Sequence, residues 1–150
     1  MNRLVLTILF VASLAVAADV ITICSGPDAA FRVDYITISP DRIVKKANVT
    51  ISAQGELLRP IEAGTMAKLE LSLDRIPIIK TTIDVCQQLE ETPDAPFRCP
   101  LPAGPLSIPL TTAPLPEELL AGHYRGSLKA SLPDGQELVC AKLDLWVYSK

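Results

Sequence analysis

The sequence has few of the residues on which catalytic and metal sites depend. Its 150 residues include a single histidine, His123, and aromatic side chains make up only 5% of the chain. It contains no Cys-x-x-Cys pair, no Gly-x-Ser-x-Gly motif and no cluster of metal-ligating residues around His123. These absences argue against a hydrolase and against a metal site. We therefore predict that the protein is not an enzyme and that it holds neither a metal nor another cofactor.

A block of basic residues is absent as well, and the formal net charge at pH 7 is −3. Proteins that bind nucleic acid usually carry a basic patch, so we do not expect nucleic acid as a partner. Apolar runs long enough to cross a membrane are also missing after the N-terminal segment.

The first 17 residues have the three-part pattern of an export signal. Arg3 supplies a positive start, Leu4–Leu14 is mostly apolar, and Ala15-Val16-Ala17 offers small residues for cleavage. The apolar run is too short to span about 30 Å of hydrocarbon. We predict a signal peptide at 1–17 and one mature domain at 18–150 in the secretory pathway, either secreted or held in a vacuolar or lysosomal lumen.

Alternation of apolar and polar residues dominates the mature chain and predicts strands with one dry face and one wet face. Turn residues separate the runs, and Pro133-Asp134-Gly135 is a strong hairpin signal. Only Glu117–Ala121 suggests a helical turn. The pattern indicates an all-β, immunoglobulin-like antiparallel β-sandwich, with a closed barrel as the alternative. The predicted strands are Val20–Cys24, Phe31–Ser39, Ala47–Gln54, Ala67–Asp74, Ile78–Cys86, Leu106–Thr112, Tyr124–Leu132 and Ala141–Tyr148.

Four cysteines follow the export signal, which indicates disulfides formed outside the cytosol. Three pairings are open. A bridge between Cys86 and Cys99 would close a short loop and contribute about 3 kcal/mol in the chain-entropy estimate. A bridge between Cys24 and Cys140 would close most of the chain, contribute about 5 kcal/mol, and set the first strand beside the last.

Several motifs together resemble those of the ML (lipid-recognition) domain family. They are Cys24-Ser25-Gly26, Asp84-Val85-Cys86, Cys99-Pro100-Leu101 and the run Glu137–Leu145. Ile36–Asp41 and Cys99–Pro105 are similar to the fungal phosphatidylglycerol/phosphatidylinositol transfer proteins of that family. The resemblance implies a sandwich whose sheets part to form an apolar inter-sheet cavity, and it implies the pairs Cys24–Cys140 and Cys86–Cys99. Some members have a third bridge near the second strand, which this chain lacks.

The function that the resemblance implies is lipid binding and transfer between membranes by a soluble protein. Phosphatidylglycerol or phosphatidylinositol is the expected ligand, with sterol as a further candidate. The protein is expected to be a monomer that contacts membrane surfaces transiently. The alternative is a secreted immunoglobulin-like module that binds another protein and holds no lipid.

A lipid carrier needs a dry cavity and a mouth, which the apolar strand faces and the proline-rich segment 93–116 could supply. Ordinary core packing is the competing interpretation for each lining residue, and a plain connection is the competing interpretation for the segment. Arg42, Lys45, Lys46 and Arg98 could meet a headgroup or could be solvated charges. Asn48-Val49-Thr50 is an N-glycosylation sequon at Asn48. The predicted cavity residues are Val33, Tyr35, Leu69, Leu71, Ile83, Val85, Phe97, Leu101, Leu106, Tyr124, Leu128, Leu143 and Leu145.

Overall fold

A computed structural model describes residues 20–40, 42–95, 97–111 and 118–150. The predicted signal peptide at 1–17 lies outside these ranges, and so do Thr112 and Glu117 at the ends of two predicted elements. The described residues form nine strands and one short helix. They are β1 (Ile21–Ile23), β2 (Phe31–Ser39), β3 (Ile43–Val44), β4 (Thr50–Leu57), β5 (Met66–Leu73), β6 (Ile76–Asp84), α1 (Val85–Glu91), β7 (Gly104–Thr111), β8 (Gly122–Ser131) and β9 (Glu137–Tyr148).

The strands form two sheets that face each other. Over the described residues, the larger sheet has the order β1-β9-β8-β5-β6, and β3 pairs with β9 as a sixth strand. The smaller sheet has the order β2-β4-β7. All of these pairs are antiparallel except β3 with β9. The predicted antiparallel sandwich is therefore confirmed.

The β8–β9 hairpin turns where the sequence predicts. The Leu132 amide donates a hydrogen bond of 2.9 Å to the Gln136 carbonyl, and the Gly135 amide donates one of 2.9 Å to the Leu132 carbonyl. Gly135 has a φ of 89°, a conformation that glycine adopts without strain. Arg59 ties this turn to the smaller sheet through hydrogen bonds to Asp134 and Gln136.

Both disulfides join the pairs that the resemblance implies. Cys24 is bonded to Cys140, and Cys86 is bonded to Cys99. The first bridge sets β1 beside β9, in a register that places Ile23 opposite Ala141. The Cys24 amide also donates a hydrogen bond of 2.9 Å to the Cys140 carbonyl.

The chain has no third disulfide in the described residues, and pairing with β9 holds the segment after Pro40 instead. Ile43 lies opposite Val147 in the short parallel pair of β3 with β9. The Lys45 amide donates a hydrogen bond of 2.9 Å to the Tyr148 carbonyl. Arg42 stacks its guanidinium 4.2 Å above the Tyr148 ring.

The predicted strand Ile78–Cys86 is wrong at its end, because α1 begins at Val85. The Asp84 carboxylate accepts a hydrogen bond of 3.0 Å from the Gln87 amide and thereby caps the helix. Arg98 donates a hydrogen bond to the Leu89 carbonyl near the other end. The spacing Asp84-x-x-Gln87 resembles a capping box and was the available sequence signal. The predicted helical turn at 117–121 is also wrong for its described part, since 118–121 contains no helix.

A β-bulge in β2 changes which side chains face the interior. Val33 pairs with Gly55 and Tyr35 pairs with Gln54, so Asp34 is an extra residue in β2. The extra residue reverses the alternation, and Tyr35 turns outward with 46% of its surface exposed. Ile36 and Ile38 take the half-buried positions in its place.

Apolar packing divides the interior into two parts along the strands. One cluster includes Leu57, Leu106 and Leu132 together with Cys86, and we call this part the filled half. The other cluster is smaller and includes Ile43, Tyr124 and Val147; we call it the open half. Strands β4, β5, β8 and β9 contribute residues to both halves. Within the described part of the chain, no helix is long and apolar enough to cross a membrane.

Replacing Gly55 with alanine should lower the free energy of unfolding by about 1 to 3 kcal/mol, as overpacking of a tight site does. A Cβ atom at Gly55 would clash with the Arg32 carbonyl oxygen and lie 2.8 Å from the Phe31 ring. Gly26→Ala is the matched control, because its Cβ would meet nothing nearer than 3.7 Å. Urea unfolding of the three proteins measures the difference. Equal midpoints for both variants would show that the bulge does not need a glycine.

The two disulfides should differ in how much they stabilise the fold. The sequence separation is 116 residues for Cys24–Cys140 and 13 residues for Cys86–Cys99. We expect the double serine variant of the first pair to lose about 5 kcal/mol, and that of the second to lose about 3 kcal/mol. Urea unfolding under non-reducing conditions measures both losses. A larger loss for Cys86 and Cys99 would contradict the loop-length argument.

Candidate functional site

An apolar cavity lies between the two sheets in the open half. Its volume is about 270 Å³. Side chains from both sheets line it, and among the described residues each of these side chains is aliphatic except that of Tyr124. The lining residues are Ile21, Ile38, Ile43, Val49, Ile51, Leu71, Leu119, Tyr124, Leu143, Leu145 and Val147.

The hydroxyl of Tyr124 is the polar group of this lining, and it is satisfied. It donates a hydrogen bond of 2.8 Å to the Leu120 carbonyl. Burial raises the pKa of Tyr124 above 10.0, and the nearby negative charge of Asp74 raises it further. The phenol therefore stays neutral at physiological pH. The lining holds no charge, which suits hydrocarbon and excludes ions.

Strand register explains why these residues face the cavity. Tyr124 lies opposite Leu145 in the β8–β9 pair, and residues directly opposite each other share a face of the sheet. Two positions further along β8, Gly126 lies opposite both Leu71 and Leu143. A Cβ atom at Gly126 would lie 2.7 Å from the Glu70 carbonyl oxygen. The glycine therefore permits close packing of β5 on β8 and projects no side chain from the cavity wall.

Four of the thirteen predicted cavity residues line this cavity: Leu71, Tyr124, Leu143 and Leu145. Most of the others lie in the filled half. Leu106 belongs to the buried cluster there, and Ile83, Val85, Phe97, Leu101 and Leu128 pack against it.

Three predicted residues lie in neither cluster. Tyr35 points outward because of the bulge at Asp34. Val33 lines a separate, partly polar hollow with Ile23 and Leu58. Leu69 is half-buried on β5, at a position between Ala67 of the filled half and Leu71 of the open half.

The sequence contained signals for some of the lining residues that we did not select. Val49, Ile51 and Val147 lie on the apolar faces of predicted alternating runs. Ile38 was obscured by the bulge in β2. Ile43 and Leu119 lie in segments too short or too irregular for periodicity to identify.

The proline-rich segment differs from the predicted mouth. Leu101 pairs with Ile61 through two backbone hydrogen bonds of 2.9 Å each, and both side chains belong to the packing of the filled half. The part around Leu101 therefore closes the filled half. Further along the segment, β7 runs beside β4, and Leu110 pairs with the lining residue Ile51. Arg98 is occupied with the end of α1. Asn48 is exposed just before β4, next to the cavity residue Val49.

In the described ranges, no group of acidic, cysteine and histidine side chains is placed so that it could bind a metal. His123 instead contacts the Asp144 carboxylate through Nε2 and stacks on the Trp146 ring, with the ring centroids 4.5 Å apart. These three side chains lie on the outer face of the larger sheet, away from the cavity lining.

Sequence comparison finds relatives over most of the chain. A phosphatidylglycerol/phosphatidylinositol transfer protein of Mycosarcoma maydis is 32% identical over 122 residues, which cover 81% of this chain and 62% of that protein. A similarly named protein of Eremothecium gossypii is 29% identical over 79% of this chain and 55% of its own length. This chain thus spans less than two thirds of these two relatives. A putative transfer protein of Dictyostelium discoideum is 26% identical over 96% of this chain and 93% of its own.

Two solved structures share the fold. A Niemann-Pick type C2 protein from the Japanese carpenter ant superposes with a TM-score of 0.61 at 15% identity, over 85% of this chain and 98% of that one. Chicken MD-1 in complex with lipid IVa superposes with a TM-score of 0.56 at 17% identity, over 83% of this chain and 85% of that one.

These neighbours have the immunoglobulin-like sandwich that the alternation of residues predicts. The ML domain family model matches residues 18–147, which is nearly the whole chain after the predicted signal peptide. The chain belongs to the ML domain family.

Proposed function

We propose that this protein binds a lipid between its two sheets and transfers it between membranes. The observation that carries the proposal is the apolar cavity in the open half of an ML domain. Burying hydrocarbon in such a lining contributes about 0.8 kcal/mol for each CH₂ group. The acyl chains would contact Leu71, Leu143 and Leu145, and the polar headgroup would stay at the cavity's solvent-facing side.

The cavity must widen to take a whole phospholipid. Its volume of about 270 Å³ lies at the lower limit of ligand sites, which are commonly about 300 to 1,000 Å³. The two sheets share no strand pairing among the described residues, so they can part without breaking a hydrogen-bonded ladder. The Cys86–Cys99 bridge lies in the packing of the filled half and would help to hold that half closed, whereas Cys24–Cys140 joins β1 to β9 within one sheet.

Phosphatidylglycerol or phosphatidylinositol is the lipid we propose, with sterol as the second candidate. The names of the fungal and Dictyostelium relatives support the phospholipids. MD-1, which shares the fold, was solved with a lipid bound. Because this chain spans 62% of the Mycosarcoma relative's length, the activity of that whole protein is carried over only as part of the proposal.

The cellular setting is part of the same proposal. A signal peptide at 1–17 and two disulfides fit an exported, monomeric carrier in a lumen or outside the cell. The exposed Asn48 could bear a glycan there. Lipid transfer needs no covalent step, so we assign no catalytic residue.

The competing function is a protein-binding module without lipid. Such a module would be expected to fill its interior, as the filled half does. The cavity therefore favours the carrier.

Filling the cavity should abolish lipid carriage while leaving the fold intact. In the variant Leu143→Trp, the larger ring would occupy the space beside Gly126. We therefore expect little loss of stability and a purified protein with no lipid bound. Native mass spectrometry of the purified protein identifies the bound lipid, and vesicle-to-vesicle transfer of labelled phosphatidylglycerol, phosphatidylinositol and sterol measures the activity.

Leu106→Trp is the matched control, because Leu106 lies in the filled half. Overpacking there should cost about 1 to 3 kcal/mol of stability and leave lipid carriage in the folded protein unchanged. Wild-type protein purified without lipid and inactive in transfer would refute the proposed function. Lipid bound equally well by Leu143→Trp would show that the lipid occupies another site.

A further inference from the structure

Exposed apolar side chains are concentrated at the open half. Nine large apolar side chains are exposed in the described residues. Six of them lie on β6, which pairs with the cavity strand β5, on β9, or next to the lining residue Leu119. Three of the six are on β6, one follows Leu119, and two are on β9. We call these six the docking surface: Ile76, Ile78, Ile79, Leu120, Trp146 and Tyr148.

Contacts between the elements make the surface continuous. The Asp74 amide, in the turn before Ile76, donates a hydrogen bond of 2.9 Å to the His123 carbonyl. The His123 ring stacks on Trp146 with an interplanar angle of 5°. Leu120, which is 61% exposed, lies three residues before His123. The turn, the segment before β8 and the end of β9 therefore meet at one end of the sandwich.

Part of the docking surface borders the cavity. Ile79 lies opposite Leu71, a lining residue, and is nevertheless 41% exposed. Leu120 follows the lining residue Leu119. On β9, Trp146 and Tyr148 alternate with the lining residues Leu145 and Val147 and therefore lie on the outer face of that strand.

Positive charge accompanies these apolar groups although the chain as a whole has a net charge of −3. Arg75 precedes Ile76. Lys80 follows Ile79, and its exposed ammonium group lies 3.9 Å from the Glu70 carboxylate. Arg42 lies on the Tyr148 ring. Among the described residues, no carboxylate forms an ion pair with Arg75 or Arg42.

Two of the acidic groups nearby are already engaged. The Asp74 carboxylate accepts a hydrogen bond of 3.1 Å from the His123 amide. The Asp144 carboxylate contacts His123 and lies 3.5 Å from Arg125. Arg75 and Arg42 therefore supply positive charge beside the apolar groups.

We propose that the docking surface binds membranes that contain anionic lipid and sets the open end of the cavity against them. This deepens the proposed function and rests on it, since the cavity is taken as the lipid site. Isoleucine and leucine would enter the acyl boundary, Trp146 and Tyr148 would lie at headgroup level, and the arginines would meet lipid phosphates.

Two residues of β6 argue against a protein strand as the occupant. β6 is the last strand of the larger sheet in the described residues, so its outer edge is unpaired. Pro77 cannot donate a backbone hydrogen bond to an added strand, and Lys80 places a charge on the edge. Proline and lysine are the residues with which edge strands avoid pairing.

The single tryptophan gives a direct test with the mature protein. Trp146 fluorescence is recorded with vesicles of phosphatidylcholine alone and with vesicles that also contain phosphatidylglycerol, each with and without brominated acyl chains. We expect a blue shift and quenching by brominated lipid only with the anionic vesicles. Protein that floats with these vesicles while Trp146 stays unquenched would overturn the proposal, because another surface would then be bound.

Variants separate the apolar part from the charged part. Ile76→Ser with Leu120→Ser, and Arg75→Glu with Lys80→Glu, should each reduce vesicle partitioning by about tenfold. Leu58→Ser and Lys68→Glu are the matched controls, because Leu58 and Lys68 are exposed at the other end of the strands. Both control variants should partition into vesicles like the wild-type protein. Equal partitioning of all variants would overturn the proposal. The proposal would also be overturned if the wild-type protein were a dimer and the double variant Ile76→Ser with Leu120→Ser were a monomer. A second copy of the chain would then occupy the docking surface.

Lipid carriage distinguishes failure of this inference from failure of the proposed function. The docking variants, loaded from detergent micelles, should bind lipid like wild type by native mass spectrometry. Variants that lose vesicle binding and keep the lipid support the surface. Variants that lose the lipid as well would overturn it, since the substitutions would then act on the cavity.

Discussion

The backbone pairing of β9 is the interaction on which the larger sheet depends. This strand of 12 residues pairs with β8 along most of its length, with β1 at residues 141–143 and with β3 near its end. Cys140 fixes the N-terminal segment to β9 through the disulfide with Cys24. The Tyr148 ring stacks against the Arg42 side chain, and the Tyr148 carbonyl accepts a hydrogen bond from the Lys45 amide. Because alternate residues of a strand face opposite sides, β9 supplies the cavity with Leu143, Leu145 and Val147 while its other side carries Trp146 and Tyr148. The cavity lining on the inner face of β9 and the exposed aromatic side chains on its outer face therefore depend on the same strand.

The division of the sandwich follows from how its ends are closed. In the filled half, Leu101 pairs with Ile61, and the bridge from Cys86 to Cys99 attaches α1 to the proline-rich segment. Apolar side chains from these connections cover the ends of the sheets. In the open half, Ile76 and Ile79 lie on β6, the end strand of the larger sheet in the described residues, and remain exposed. The apolar area that would complete a core is absent there, and hydrocarbon from a ligand can take its place.

Periodicity in the sequence was sufficient for the sandwich and for part of the site. Leu71, Tyr124 and Leu145 lie on long alternating runs without an interruption before them, and each faces the cavity as predicted. Tyr35 was misplaced because a single extra residue, Asp34, reverses the alternation in β2. Leu128 and Leu143 lie on equally regular runs, yet the first packs in the filled half and the second lines the cavity. The separation of two sheets at one end is a property of the assembled fold, and alternation within a strand carries no information about it.

Separate positions along the same strands close the filled half and shape the cavity. A substitution at Leu143 or Ile51 alters the ligand space without touching the disulfides or the cluster around Leu57. Selection can therefore act on ligand choice and on folding almost independently. Over evolutionary time such an arrangement would let the shape of the cavity vary through small changes at one end without loss of the packing at the other end. The two halves should accordingly accumulate substitutions at different rates.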